Sequence, residues 1–486
     1  MERDTHGSHQ KSGLMAQLPK AVAVIGTVAL IAALLFAPHT PSDAPKAEKA
    51  LHALWWMGVL PFAALLGAIA AFPLIPRVAH WWHSNLNRYL VSLAVAALAL
   101  GYLAATGGGA AVGDALHHAV PDEYVPFMSL LFALYVIAGG LHIETPFDGK
   151  PRENLTILLV GALIASLVGT TGAAMVLIRP LLESIRHRRY KVHSVVFFIF
   201  IVCNCGGCLL PIGDPPLFMG YLRGVPFLWT LTLWKEWLIV NGLLLIAYLA
   251  IDAFLFAKES AAVQREDIHR RFSLRGGVNI PLLAAAIAAV ALLVPGKALA
   301  GTSWIVPNYL REGVLFGLAG LSWLLTARSV RTANRFEFGA ILEVAAIFIG
   351  IFISMQIPLE VLKSEGAKLG IESPYAFYWI TGALSSFLDN APTYVVFFEI
   401  AKTMPFVPDE AYVALADGQI RGDLLTAVSL GAVFMGANTY IGNGPNFMVK
   451  AIAESDGVKM PSFFGYMGWS IGILIPLLLL AQLALP

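Results

Sequence analysis

The chain has 486 residues, 58% of them hydrophobic and 13% charged, with a mean hydropathy of +0.72. Soluble domains carry about 25% charged residues, and here the longest polar stretches are connecting loops, so a sizeable soluble domain is excluded. A net charge of +1 gives no basic footprint, and no nucleic-acid partner is expected.

In chain order, Ala21–Ala37 is the first apolar run. It follows Lys20 but exceeds a usual signal core, so it reads as a first span or signal anchor within an N-terminal region 1–53. Spans long enough to cross a bilayer follow at Leu54–Pro76, Arg88–Thr106 and Tyr124–Ile143. Leu155–Leu182 is interrupted by Gly169-Thr170-Thr171-Gly172 and reads as a hairpin that enters the membrane and turns back, the alternative being one kinked span. His193–Met219 carries Cys203, Cys205 and Cys208 and closes on Ile212-Gly213-Asp214-Pro215-Pro216; Leu228–Phe256 completes a first unit, 54–256. A charged cytoplasmic linker, 257–277, leads to a second unit, 278–486, with spans Val278–Val294, Gly313–Thr326, Phe338–Pro358, Leu424–Lys450 and Phe463–Leu485. Its hairpin, Tyr375–Ala401, has the tip Ser385-Ser386-Phe387-Leu388-Asp389-Asn390-Ala391-Pro392-Thr393. Leu424–Lys450 closes on Ile441-Gly442-Asn443-Gly444-Pro445-Asn446, matching the break around Asp214.

Basic clusters at Arg77 and Arg88, Arg186–Lys191, Lys258–Arg275 and Arg328–Arg335 fall on one side only if both hairpins return to the side they entered. The N-terminus is then cytoplasmic. Five spans and a hairpin occur twice, and because five is odd the second unit is inverted. Tyr135-Val136-Ile137-Ala138-Gly139 parallels Ala346-Ile347-Phe348-Ile349-Gly350 in this scheme. The expected fold is an all-α polytopic membrane protein, about eleven transmembrane helices with two re-entrant hairpins in an inverted five-helix repeat. Matched helix breaks in two such halves mark the binding site of a secondary transporter.

Charged and polar groups at membrane depth are the site candidates. Asp389 offers a carboxylate for a cation or a proton, with Asn390 and Thr393 beside it; its other reading is the N-cap of the second hairpin arm. Asp214 is a second ligand or a turn residue before Pro-Pro. Asn438, Thr439, Asn443 and Asn446, with Thr170 and Thr171, supply neutral oxygens for Na⁺ or donors for a carboxylate, or else bond helices together. Arg179 and Glu399 occupy corresponding places on the two hairpins and read as ion-pair or snorkelling residues. Glu343 is a lone acid in an apolar run, a proton acceptor or a partner of Arg335. The cysteines suit a soft metal, but with glycines between them and no nearby His they read as small packing residues. No resident cofactor is expected, and no His-Glu-x-x-His, paired catalytic Asp or Ser/His arrangement points to an intramembrane enzyme.

Gly169-Thr170-Thr171-Gly172 with Ile178-Arg179-Pro180, the Leu388-Asp389-Asn390-Ala391-Pro392 tip and the two Ile-Gly-Asp/Asn breaks resemble the ion-transporter superfamily. That group includes type D Na⁺/H⁺ antiporters, arsenite permeases, citrate transporters and divalent-anion/Na⁺ symporters. The likeness runs from about Leu54 onward and is strongest to a bacterial branch labelled both sodium:proton antiporter and citrate transporter. The resemblance implies an inverted repeat with two hairpins, a homodimer and an elevator-like transport domain in the bacterial inner membrane. The Asp-Asn-x-Pro tip resembles the antiporter and arsenite branches, whereas the symporters carry Ser-Asn-Thr in both hairpins. The expected activity is therefore Na⁺/H⁺ exchange by competition at the hairpin-tip carboxylate, with Na⁺- or H⁺-coupled citrate or dicarboxylate transport as the alternative.

Overall fold

In hydrocarbon every backbone N–H and C=O has to be satisfied within the protein, which leaves the helix as the default for these apolar runs. The computed structural model describes residues 54–264, 271–299, 301–415 and 418–484; the expected span Ala21–Ala37 and the region 1–53 lie outside them. The principal helices are α1 (Trp55–Ala71), α2 (Asn85–His117), α3 (Val125–Ala138), α4 (Pro151–Val168), α5 (Thr170–Ser184), α6 (Val192–Ile201), α7 (Pro215–Leu222) and α8 (Trp234–Phe256). They continue with α9 (Asn279–Leu292), α10 (Leu310–Leu325), α11 (Gly339–Ser354), α12 (Gln356–Glu365), α13 (Pro374–Ser385), α14 (Asn390–Lys402), α15 (Gly422–Met435), α16 (Gly444–Ser455), α17 (Phe463–Trp469) and α18 (Ile475–Ala484).

Among the described residues five helical segments are long and apolar enough to cross a membrane, or six with α11 and α12 counted as one bent span. Helix length thus gives fewer spans than the ten of the eleven expected ones that fall within the described residues, because several apolar runs are broken. His193–Met219 becomes α6, a short 3₁₀ turn at Cys205–Cys208 and α7; Leu424–Lys450 becomes α15, a turn at Gly436–Asn438 and α16. Phe338–Pro358 bends by 44° after Ser354, where Pro358 has no N–H to give the Ser354 carbonyl. Arg88–Thr106 and Tyr124–Ile143, expected as separate spans, belong to one helical run from Asn85 to Ala138. Gly108, at φ 70°, redirects that run, a backbone conformation glycine adopts without strain, and His118–Tyr124 winds as a π-helix.

Burial divides the helices into two sets. In α6 every residue from His193 to Ile201 is buried, and α14 and α15 are nearly as enclosed. The outer helices instead present bare apolar side chains, among them Leu60, Leu98, Ile246, Leu324 and Phe464, a surface that only lipid or another apolar partner satisfies. The broken helices therefore form the interior of the molecule and the long unbroken ones its lipid-facing shell.

The interior is cross-woven. Each hairpin's arms pack on each other, α4 on α5 and α13 on α14. The second arm of each also packs on the helix that follows the other unit's break, α5 on α16 and α14 on α7. The breaks themselves are tight: a Cβ on Gly213 would come within 2.2 Å of the Gly207 carbonyl oxygen, and one on Gly442 within 2.5 Å of the Gly436 oxygen. Among the outer helices, Gly350 of α11 lies on the backbone of Ser92 in α2 at similarly close range.

Two small antiparallel pairs close the ends. β1 (His142–Glu144) pairs with β2 (Ser273–Arg275), His142 opposite Arg275, so part of the expected 257–277 linker is strand. At the same end Arg331 donates to the Val136 carbonyl (2.9 Å) and Asn334 to that of Gly139 (3.0 Å), gathering the loops after α3, before α9 and after α10. β3 (Tyr412–Leu415) pairs with β4 (Gly418–Arg421) before α15.

The steric fit at the breaks sets a test. Gly213→Ala should destabilise the protein by about 1–3 kcal/mol, the cost of overpacking, read as a fall in melting temperature in detergent. Gly67→Ala, where a Cβ meets nothing within 4 Å, should leave the melt unchanged.

Candidate functional site

The N-termini of α5, α7, α14 and α16 converge where the two hairpin tips meet the two breaks. Asp214 is the knot. It precedes Pro215 in extended conformation and is 1% exposed. Its Oδ1 accepts the Thr170 hydroxyl of hairpin one at 2.8 Å and the Asn443 amide of the second break at 3.2 Å. Its Oδ2 accepts the Asn390 amide of hairpin two at 2.7 Å. One carboxylate thus joins both hairpins and both breaks, and a buried carboxylate requires such donors.

Around it runs a lattice of amides. Asn443 also donates to the Cys203 carbonyl (3.0 Å) and to Asn204 Oδ1 (3.1 Å). Asn204 in turn donates to Asn446 Oδ1 (2.8 Å), and Asn446 to the carbonyls of Gly436 and Thr439 (both 2.9 Å). The Thr439 hydroxyl donates to the Ser386 carbonyl and accepts the Gly442 N–H (3.1 Å). Asn438 donates to the Ser386 hydroxyl (2.9 Å), and on the hairpin-one side Ser166 donates to the Gly206 carbonyl (2.6 Å). These groups satisfy the carbonyls and amides that the breaks release. Two oxygens stand apart: Asn390 Oδ1 and Asn438 Oδ1 are buried and accept no hydrogen bond.

Beside the knot lies a cavity of about 370 Å³. Hairpin one lines it with Gly169 through Gly172, hairpin two with Asp389, and the breaks with Ile212, Gly213, Pro215, Tyr440, Ile441, Asn443, Gly444 and Pro445. The outer helices contribute Arg88, Tyr135, Glu343, Val344, Ile347 and Phe348. The two hairpin N-termini differ here. In α14, Asp389 is the N-cap and its carboxylate accepts the Ala391 N–H at 3.1 Å. In α5 the N-cap is Gly169, at φ 79°, and no side chain caps the helix. The Thr170 N–H is taken by the Gly213 carbonyl (2.8 Å), which leaves the N–H groups of Thr171 and Gly172 and the positive dipole end of α5 at the cavity, an arrangement that can receive anions.

Of the residues read from sequence, Thr170, Thr171, Asp389, Asn443 and Glu343 line the cavity. Asp214, Asn390, Asn438, Thr439 and Asn446 belong to the lattice behind it. Thr393 donates to the Asp389 carbonyl at 3.0 Å, inside the first turn of α14. Arg179 and Glu399 lie away from the cavity. Arg179 is half-buried within electrostatic reach of Asp456 and Arg335, and Glu399 sits 3.6 Å from Arg223. The expected Glu343–Arg335 pair is not formed: Glu343 pairs with Arg88 at 2.8 Å and Arg335 with Asp456 at 3.4 Å. The reason is that the turn after α10 holds Arg335, at φ 44°, toward α16, while α2 crosses α11 closely. The cysteines are fully buried, and no group of three or more metal-ligating side chains occurs among the described residues.

Sequence reasoning missed Asn204, Ser166 and the site role of Arg88. Arg88 had served only as a topology marker; its signal was a lone cation opening an apolar run. Asn204 had the same kind of signal, a single amide between two cysteines in an otherwise apolar stretch.

A shell of long apolar helices around broken helices, whose N-terminal ends meet beside a largely apolar cavity with a few polar and charged groups in its wall, defines a membrane transport protein. The chain belongs to the family described as "Putative citrate transport", whose model matches residues 50–485. That family lies within the superfamily the hairpin and break motifs resemble. No curated protein matches the chain.

The Asp214 knot predicts a graded loss of stability. Asp214→Ala strands two buried donors, Thr170 and Asn390, at about 1–3 kcal/mol each, while Asn443 keeps the Cys203 carbonyl and Asn204 as acceptors, so its melting temperature should fall below that of Asp214→Asn, which keeps one acceptor oxygen. Equal melts for the two variants would remove the carboxylate from its structural role.

Proposed function

We propose that the protein is a secondary transporter that moves citrate or a related small carboxylate in step with a cation. The observation that carries this reading is the uncapped α5 N-terminus opening into the cavity with the Thr170 and Thr171 side chains, in a chain of a citrate-transport family. A carboxylate there accepts the N–H groups of Thr171 and Gly172, with the Thr171 hydroxyl in the same wall.

Coupling follows from Asp389. It lines the same cavity, and among the described residues it has no ion-pair partner. A substrate anion about 4 Å from an ionised Asp389 would meet repulsion of about 4 kcal/mol at an effective dielectric of 20. Na⁺ or H⁺ on Asp389 removes that barrier, so the anion enters after the cation. Asn390 Oδ1 and Asn438 Oδ1, the buried acceptors without partners near this tip, suit a hard cation. Na⁺ and H⁺ are thus coupling ions, and no resident cofactor takes part.

The spans belong to an eleven-helix inverted repeat, the N-terminus cytoplasmic, in a bacterial inner membrane and as a homodimer. On that topology the Arg88 end of the cavity faces the cytoplasm. A second reading, Na⁺/H⁺ exchange at Asp389 alone, is favoured by that carboxylate's lack of an ion-pair partner beside the cavity.

Proteoliposomes separate the two. Labelled citrate should accumulate under an inward Na⁺ or H⁺ gradient, and Asp389→Asn should lower gradient-driven uptake at least about tenfold, the scale of one lost charge interaction. Collapse of a pH gradient by Na⁺ without carboxylate, and no citrate uptake, would instead establish exchange.

A further inference from the structure

One charged pair at the cavity is used by neither the lattice nor the Asp389 chemistry. Arg88, near the start of α2, is 5% exposed, yet it lines the cavity wall and is the one Arg or Lys among the described residues that does so. Its Nη1 lies 2.8 Å from Glu343 Oε2 and donates to Asn85 Oδ1 at 3.0 Å. Asn85 is itself fixed by donating to the Gly339 carbonyl at 3.0 Å, and the Trp82 ring stands 5.9 Å from the guanidinium carbon. The Arg88 Nε is buried without a partner. Glu343 differs: its side chain is 39% exposed, against 6% for Arg88, and it also lines the cavity. The cation is thus held on three sides with spare donor capacity, while its counter-ion has room to swing away.

We infer that Arg88 is a specificity-determining residue that receives a second carboxylate of the substrate, Glu343 holding its place in the empty cavity. This rests on the carboxylate reading above and adds a substrate class, polyanions over monoanions. The chemistry is an exchange of one acceptor for another: the substrate carboxylate takes the guanidinium donors, including Nε, and Glu343 moves toward solvent. A monocarboxylate held at the α5 N-terminus gains nothing from Arg88, because it has no second acidic group to reach it. Two bodies are also joined, since Arg88 sits on the outer helices and α5 in the cross-woven interior.

The test is equilibrium binding of citrate and of acetate to the purified full-length protein, by calorimetry or thermal shift. Arg88→Gln should weaken citrate about 10- to 100-fold, the worth of one charged hydrogen-bonded contact, and leave acetate within about threefold. Glu343→Gln should tighten citrate several-fold by removing the competitor. The double variant Arg88→Gln/Glu343→Gln, which leaves no unpaired charge, covers the case in which Arg88→Gln folds poorly and should match its citrate loss. Equal weakening of both ligands, or citrate binding unchanged in the double variant, would overturn the assignment while leaving carboxylate transport intact. A wild-type protein that binds neither ligand would remove the carboxylate reading and this inference together.

Discussion

One buried carboxylate organises the interior of this protein. Asp214 receives a hydroxyl from hairpin one, an amide from hairpin two and an amide from the second break. Those donors lie up to 229 residues from Asp214 in the chain. Each segment is a place where a helix has been interrupted, so each has backbone groups that lipid cannot satisfy. Gathering the interruptions around one acceptor, with Asn204, Asn443 and Asn446 as further partners, turns four local defects into one cluster, bonded except at Asn390 Oδ1 and Asn438 Oδ1. Close glycine contacts at Gly213 and Gly442 then let the two breaks lie against their own turns without a gap.

The cluster is symmetric in plan and asymmetric in chemistry. Thr170 and Asn390 occupy the first helical position of the two second arms, and Asp214 and Asn443 the N-cap positions after the two breaks. At the hairpin N-caps the match fails: Gly169 leaves the α5 end open, while Asp389 closes the α14 end with its own carboxylate. On the function proposed above, one tip receives the anion and the other a cation or a proton. Two ligands of opposite sign beside one cavity are what a coupled carrier needs, because each ligand then lowers the cost of bringing in the other.

The sequence carried the fold's logic unevenly. Ile212-Gly213-Asp214-Pro215 and Ile441-Gly442-Asn443-Gly444-Pro445 were legible as breaks because Pro and Gly act locally. The interruptions between α4 and α5 and between α13 and α14 were legible because Gly169 and the Ser385–Thr393 tip break apolar runs. Helix extents were harder to read: hydropathy separates Arg88–Thr106 from Tyr124–Ile143, and the chain does kink between them at Gly108, yet the small and polar residues on either side of that kink are helical, a matter of propensity and packing. Among site residues, Thr170, Asp389 and Asn443 were recognisable by type and depth. The division of labour was not, since Asp214 at the knot and Asp389 at the cavity are both carboxylates next to turns. Only the three-dimensional partners tell them apart, and the same holds for Arg88, whose ion pair crosses 255 positions from Arg88 to Glu343.

The lattice also constrains how such a carrier would move. Pulling the hairpins away from the breaks would expose Asp214 and its donors at about 1–3 kcal/mol for every bond left unmade, so the cluster has to travel whole. The contacts available to break lie where the interior meets the outer helices. On the side of the cavity these are largely apolar, with Arg88 and Glu343 both belonging to the outer set and the Arg335–Asp456 pair (3.4 Å), exposed on its arginine, crossing the boundary. At the far end, where the chain leaves α7, Arg223 bonds Glu123 and lies 3.6 Å from Glu399, with Gln356 donating to Glu123 at 3.4 Å. That cluster spans the boundary, since Glu123 and Gln356 sit on outer segments and Arg223 and Glu399 on interior ones. The boundary is thus held by a buried charged cluster at the far end and by mainly apolar contacts with one exposed pair beside the cavity. Opening the far end then requires parting Arg223 from Glu123, and a bound substrate bridging α5 to Arg88 would draw the near end closed as that happens.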